Sequence, residues 1–265
     1  MTPYLRIFKM AALERLQYRI DFLSHIASQM IYWIVFVLLW NLVYASGGHI
    51  GDYSRSEMIV YSTLAALFYL LVSAWEVGWS TLSDIHEGGL VNALVRPFSY
   101  ICYHLAKMLG EHVVELMTMI PILVAALAVP AIRLHLPSSL EQWFAFFVFL
   151  CGAFLFSFLL SYLAALMFFM IGHSWGLLIT VYTLTSLLGG SVVPLNALPS
   201  WLQTITRYLP FQYDFYIPMR VMMGRIEGVE LWWSMLGLLA WLSIMMILIT
   251  WAWKRGLRKY EGFGI

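Results

Sequence analysis

Residues 231–253 read LWWSMLGLLAWLSIMMILITWAW, 23 residues without a charge. Wound as an α-helix at about 1.5 Å per residue, a run of this length crosses the roughly 30 Å hydrocarbon core of a bilayer. Toward the N-terminus, further apolar runs occupy 26–44, 58–80, 113–131, 143–171 and 176–193, the last of them slightly short for a full crossing. Composition points the same way: 62% of the 265 residues are hydrophobic, 17% aromatic and 11% charged, and mean hydropathy is +0.81. That balance excludes a soluble globular domain. A net charge of +1 gives no reason to expect a nucleic-acid partner. The expected fold is all-α and polytopic: a domain of six transmembrane helices over 26–265, preceded by a separate N-terminal segment, 1–25.

The basic residues orient those helices. Six crossings put both termini on one side, whose segments hold Arg6, Lys9, Arg15, Arg19, Arg96, Lys107, Lys254, Arg255, Arg258 and Lys259. The other side holds Arg55, Arg133, Arg207, Arg220 and Arg225, interspersed with Asp52, Glu57, Glu141, Asp214, Glu227 and Glu230. Ten cations against five place both termini in the cytoplasm. Trp40, Tyr44, Trp143, Trp232, Trp251 and Trp253 lie near the ends of runs, where amphipathic rings settle at the headgroup level. The charged N-terminal stretch lacks the apolar core and cleavage site of a signal peptide, so the first run is expected to stay as a membrane helix. Cys102 falls in a loop and Cys151 within the fourth run, which argues against a disulfide and offers no metal-ligand spacing.

Three segments outside the crossings carry most of the information. In 1–25, Leu5, Phe8, Ala12, Leu16 and Ile20 recur at helical spacing among cations, as in an amphipathic helix lying in the cytoplasmic interface against membrane lipids. Arg15 and Arg19 encroach on the apolar side, and an ordinary lead-in helix is the alternative. In the cytoplasmic connection 81–112, Gly88 and Gly89 interrupt the descending helix, and 90–95 form a short helical turn before Pro97 stops it. Leu90, Val91, Leu94 and Val95 on that turn either dock against a partner or fold back onto the chain. In the outer segment 194–230, punctuated by Pro194, Pro199, Pro210 and Pro218, residues Trp201, Leu202, Ile205, Tyr208 and Leu209 give one apolar helical face. At about 18 Å that helix is too short to span, and it dips into the outer leaflet or caps the bundle, as a gate or as a passive plug.

Two passages carry a family resemblance over essentially the whole chain: Glu87-Gly-Gly-Leu-Val-Asn-Ala-Leu-Val-Arg-Pro97 after the second run, and Gly190-Ser-Val-Val-Pro-Leu-Asn-Ala-Leu-Pro-Ser-Trp-Leu202 after the fifth. The first is similar to the glycine-leucine to arginine-proline passage of a branch of bacterial ABC-2 permeases, the second to the proline-punctuated outer re-entrant segment of the same family. The chain therefore resembles the permease subunit of an ABC-2 type transporter. By position the resemblance implies that Asp84, Glu87, Gly88, Gly89, Leu90, Leu94, Arg96 and Pro97 form the coupling element that docks on an ATPase. It also implies that Pro194, Pro199, Trp201 and Pro210 mark the re-entrant segment. No Gly-x-x-x-x-Gly-Lys-Ser/Thr phosphate loop is present, so the chain itself is not expected to be an enzyme or to hold a cofactor. ATP and magnesium would belong to separate ABC ATPase subunits, and a second permease chain, identical or homologous, would complete the pathway. The implied setting is an ATP-driven exporter in a bacterial cytoplasmic (inner) membrane.

For the substrate pathway the strongest candidate is Glu76, whose carboxylate lies about eight residues, or 12 Å, inside Asp84. A carboxylate at the bilayer centre costs about 3 kcal/mol, so Glu76 needs a polar cavity or a partner. Trp75 and Trp79 flank it with aromatic faces, and Gln29 and Asn41 in the first run are weaker candidates. Catalytic patterns fail on context. Gly172-His173-Ser174-Trp175-Gly176 joins two membrane helices instead of a strand and a helix. Glu111-His112 and Glu115 lack a second histidine at i+4 and read as the wetted cytoplasmic start of the third run. An intramembrane hydrolase therefore ranks last, and an ion-coupled secondary transporter would need internal inverted repeats that the two halves do not display.

Overall fold

The structure is a computed structural model and describes residues 3–95, 97–128, 139–172 and 175–259, apart from the Arg19 side chain. Helices dominate, and no strand occurs among the described residues. In chain order they are α1 (Pro3–Gln17), α2 (Arg19–Ala45), α3 (Arg55–Val72), α4 (Trp75–His86), α5 (Gly89–Leu94) and α6 (Tyr100–Leu127). There follow α7 (Leu140–Leu166), α8 (Phe168–Ile171), α9 (Trp175–Leu188), α10 (Ser200–Tyr208), α11 (Tyr216–Met222) and α12 (Gly228–Lys259). Five helical units are long and apolar enough to cross a membrane: Ile20–Ala45, Arg55–His86, Tyr100–Leu127, Leu140–Ile171 and Gly228–Lys259.

The fifth run departs from its expected length. Helix α9 stops at Leu188 after 14 residues, about 21 Å, because Gly189 and Gly190 follow and Gly190 turns to φ +84. The freed backbone is paired from outside: Tyr61 donates its hydroxyl to the Gly190 carbonyl at 2.5 Å, and the Tyr216 amide donates to Gly189 O at 2.9 Å. The second run also departs, since 58–80 is not one helix. It breaks at Ser73 and Ala74, where α3 ends and α4 begins.

Helix α7 is the axis of the bundle and packs against α3, α4, α9, α11 and α12. Its buried face alternates small and large residues, Ala145, Phe149, Gly152, Ala153 and Phe156, so that neighbours approach closely at the small positions. Leu238 of α12 fills the space over Gly152. At the end that carries α10, Ser54 and Glu57 form a capping box at the start of α3, with Ser54 N donating to the Glu57 carboxylate at 2.8 Å.

Helix α1 lies along α6. Ala11 is buried there, and the Phe8 carbonyl sits where a Cβ on Gly110 would be. The face used differs from the apolar stripe in the sequence: Leu5 and Leu16 of that stripe are 43% exposed, and Ile20 belongs to α2. The helix thus has two apolar sides, one on α6 and one turned outward with Met10 and Leu13. Gly110→Val is expected to lift α1 from α6 at a cost of about 1–2 kcal/mol. Faster protease cleavage within 3–17 in intact vesicles would register this, and an unchanged cleavage rate would show that α1 does not depend on the contact.

Candidate functional site

Helices α2, α3, α7 and α9 form an arc, with α2 packed on α3, α3 on α7 and α7 on α9. A cavity of about 570 Å³ lies among them. From α2 come Ser28, Gln29 and Tyr32, from α3 Ala65 and Tyr69, and from α7 Ser157, Leu160 and Ser161. Helix α9 presents Tyr182, Thr183, Thr185, Ser186 and Leu187. The break between α3 and α4 adds Ser73, Ala74 and Trp75, and the segment after α9 adds Ser191, Asp214 and Phe215. A break in a helix at membrane depth is tolerated where the loosened backbone lines a cavity or meets protein donors. Here Tyr182 supplies one, donating its hydroxyl to Trp75 O at 3.0 Å while the two rings pack with centroids 4.1 Å apart.

Of the pathway residues named from sequence, Gln29 and Trp75 face this cavity. Trp79 lies one turn further along α4, with ring centroids 5.2 Å from Trp75 and 4.7 Å from Trp175. Asn41 stands apart, where it donates to Val37 O and accepts from Arg55 Nε, both at 2.8 Å, tying α2 to α3. Glu76 opens instead onto a second, smaller cavity of about 150 Å³, with His25, Glu111, His112 and Glu115 in its wall.

Arg15 of α1 meets two of the carboxylates in that wall. It pairs with the Glu76 carboxylate and stands 3.5 Å from Glu115 Oε1, while Lys107 Nζ lies 3.7 Å from Glu111 Oε1. Glu76 occupies the first turn of α4, where the helix dipole favours a carboxylate. Glu111 and Glu115 therefore do not sit at a wetted helix start: Glu111 is 8% exposed and faces Lys107 one turn earlier on α6, and Glu115 faces Arg15, brought in by the packing of α1. The encroaching Arg15 on α1 is explained by the same contact.

The connection after α4 is built as a short rigid arm. Gly88 takes φ +79, a left-handed conformation that costs glycine nothing, and sends the chain into α5. Asp84 accepts from the Tyr100 hydroxyl at 2.7 Å with His104 Nε2 at 3.9 Å, and Ser83 donates to Glu87 at 2.7 Å. The four apolar residues of the arm divide. Leu90 is fully buried and folds back onto the chain, whereas Val91, Leu94 and Val95 are exposed. Pro97 is exposed after the arm, and Arg96 lies outside the described residues, as do His173, Ser174 and Arg133.

In 194–230, Pro194 precedes a 3-10 turn at Leu195–Ala197, Pro199 caps α10, and Pro210 opens a second 3-10 turn, Pro210–Tyr213. Trp201, Ile205 and Tyr208 point outward from α10, and the following residues from Tyr213 to Ile217 are buried in the bundle. Arg225 fastens the segment to α3 through Glu57 at 2.5 Å, with its guanidinium 4.1 Å over the Tyr53 ring.

Sequence reasoning passed over Asp214, which it counted as an outer-loop charge. The structure buries it to 2% exposure in the wall of the large cavity, with the Ser157 hydroxyl donating to Oδ1 at 2.5 Å. It also passed over the break before α4, where the N-cap is Ala74 and no side chain caps the helix, so that the capping-box spacing of Ser73 and Glu76 is not used. A family model described as ABC-2 family transporter protein matches residues 30–264 of the chain. No curated protein matches it.

Proposed function

This chain belongs to the ABC-2 family of transporter proteins, and we propose from that premise that it is the permease subunit of an ATP-driven exporter. It works by alternating access in a bacterial inner membrane with both termini cytoplasmic. Separate ATPase subunits bind ATP and magnesium and grip the arm formed by α5. A second permease chain faces the concave side of the α2–α3–α7–α9 arc, and the large cavity is this chain's half of the pathway. Helix α9 with the residues up to Val193 makes the fifth of six crossings, and the outer segment 194–230 re-enters the membrane.

The observation that carries the reading is the arm itself: a six-residue helix, locked at its base by Asp84 and Leu90, that turns Val91 and Leu94 outward. Apolar side chains held rigidly at a surface are what a transient docking site requires. ATP shifts the cavity from one orientation to the other only as far as the docked ATPase binds the two states unequally.

Gentle purification of the tagged chain from its native membrane, followed by mass spectrometry, tests the assembly. A stoichiometric subunit with a phosphate loop is expected, together with a second permease sequence or a doubled stoichiometry of this one. Recovery of the chain alone, under conditions that hold other membrane complexes together, would remove the basis for the reading. Glu87→Lys at the base of the arm is expected to leave nucleotide hydrolysis running while transport falls by about tenfold or more. Transport and hydrolysis that stay coupled in that variant would place the docking contact elsewhere. The break at Ser73 and Ala74 is a feature shared with ion-coupled carriers. Uptake into inverted vesicles separates the two: dependence on ATP after the proton and sodium gradients are collapsed favours the ABC assembly.

A further inference from the structure

The large cavity has a one-sided chemistry. Among its described lining residues Asp214 is the only charged group, and no Lys, Arg or His faces it. Four of its hydroxyls are turned the same way. Ser28 donates to Ser24 O, Thr183 to Ile179 O and Thr185 to Val181 O, each at 2.8 Å, and Ser191 donates to Ser186 O at 3.0 Å. With their protons spent on backbone carbonyls, these groups offer the cavity oxygen lone pairs. The Ser157 proton is spent on Asp214 itself. Aromatic faces complete the lining: Trp75 packed with Tyr182, and Tyr69 stacked on Phe215 at 16° between ring planes.

We propose that this cavity binds a cationic amine, primary to quaternary, carried on an apolar or aromatic body, with Asp214 as counter-charge and the rings of Trp75, Tyr69 and Phe215 around it. The proposal rests on the transporter reading above and names the substrate class of that same pathway. A buried carboxylate with one hydroxyl donor is poorly compensated until a cation enters, and a cation leaving water recovers its solvation from the carboxylate, the lone pairs and the ring faces. Anionic head groups find no donor charge in the lining and meet Asp214 at close range, so the same residues reject them.

The test uses the purified full chain, with its ATPase where that co-purifies, in nanodiscs of phosphatidylcholine, titrated with rhodamine 6G as a cationic dye and fluorescein as an anionic dye of related shape. Fluorescence anisotropy is read against empty nanodiscs. Saturable binding of rhodamine 6G is expected, weakened about tenfold or more by Asp214→Asn and retained by Asp214→Glu, with no saturable fluorescein binding. Trp75→Leu, which keeps the charge and removes a ring, is expected to weaken the cation about fivefold, and it decides the matter if Asp214→Asn loses its thermal transition. Wild-type affinity in Asp214→Asn, or in Trp75→Leu where that variant decides, overturns the proposal. So does equal binding of fluorescein, or no saturable rhodamine 6G binding by the wild type. Failure of the transporter reading is separable: an ATPase that co-purifies with a chain blind to rhodamine 6G overturns the cation site alone, whereas the expected dye profile on a chain with no ATPase supports the site and removes the ABC assembly.

Discussion

Val91→Asp combined with Leu94→Asp is expected to strip the ATPase from the complex, weakening association by about 100-fold or more, without moving the thermal transition of the chain by more than about 2 °C. The asymmetry follows from where these side chains stand. Val91 is 46% and Leu94 45% exposed on a helix of six residues, so carboxylates there remain in water and cost the fold little. Pressed into a partner's apolar pocket, the same carboxylates would lose their hydration with nothing on this chain to compensate them. Leu90→Ala is the control with the opposite signature. That side chain is fully buried beside Leu82 and Ile85, and its truncation is expected to cost about 3 kcal/mol and lower the melting temperature measurably. Pull-down of the ATPase and a thermal melt on each variant read both quantities. A double aspartate variant that still holds its ATPase would show that α5 is not the docking surface, and the proposed coupling route would go with it.

How far such an arm could be read from sequence depends on the range of the interaction that builds it. The glycine pair, the proline stop and the apolar turn between them are local, and they place α5 to within a residue. Which of its leucines folds back depends on packing, since Leu90 is buried in a cluster that also holds Leu82 and Ile85 of α4, Tyr100 of α6 and Phe168 of α8. The long apolar runs are equally legible, because a helix is the only way an isolated segment can pair its backbone in hydrocarbon. What escaped was tertiary in origin. Helix α3 ends at Val72 with no glycine or proline to mark it, just before Trp75, whose carbonyl accepts from the Tyr182 hydroxyl 107 residues away. Asp214 reads as an outer-loop charge until a 3-10 turn after Pro210 carries it in against Ser157. Glu115 reads as wetted until α1, separated from α6 by four helices in the chain order, brings Arg15 to it.

Arg15 is the second place where one substitution should matter most. Arg15→Met keeps the length of the side chain and its apolar stem along α6 but removes the cation that Glu76 and Glu115 share. Glu76 retains the N-terminal turn of α4, worth about 0.5 kcal/mol. Glu115, with 15% of its side chain exposed, keeps only His112 at 3.7 Å and is left with Glu111 on the same face of α6. Breaking a fully buried pair costs about 3–5 kcal/mol, and the 32% exposure of the Arg15 side chain brings the expected loss to about 2–3 kcal/mol. Because the penalty comes from the stranded carboxylate and not from a missing attraction, Glu115→Gln added to Arg15→Met should recover most of it, while Glu115→Gln alone in the wild type should cost less than Arg15→Met. Thermal melts of the four chains in detergent close this cycle, and equal destabilisation of Arg15→Met and the double variant would show that the penalty does not come from Glu115. The clamp also has a mechanical consequence. It joins α1 and α6 to the first turn of α4, directly beyond the break whose residues Ser73, Ala74 and Trp75 line the large cavity. If α4 moves with the arm when the ATPase closes, Arg15 holds the hinge to α1, so Arg15→Met should lower transport in vesicles by more than its effect on protein abundance explains.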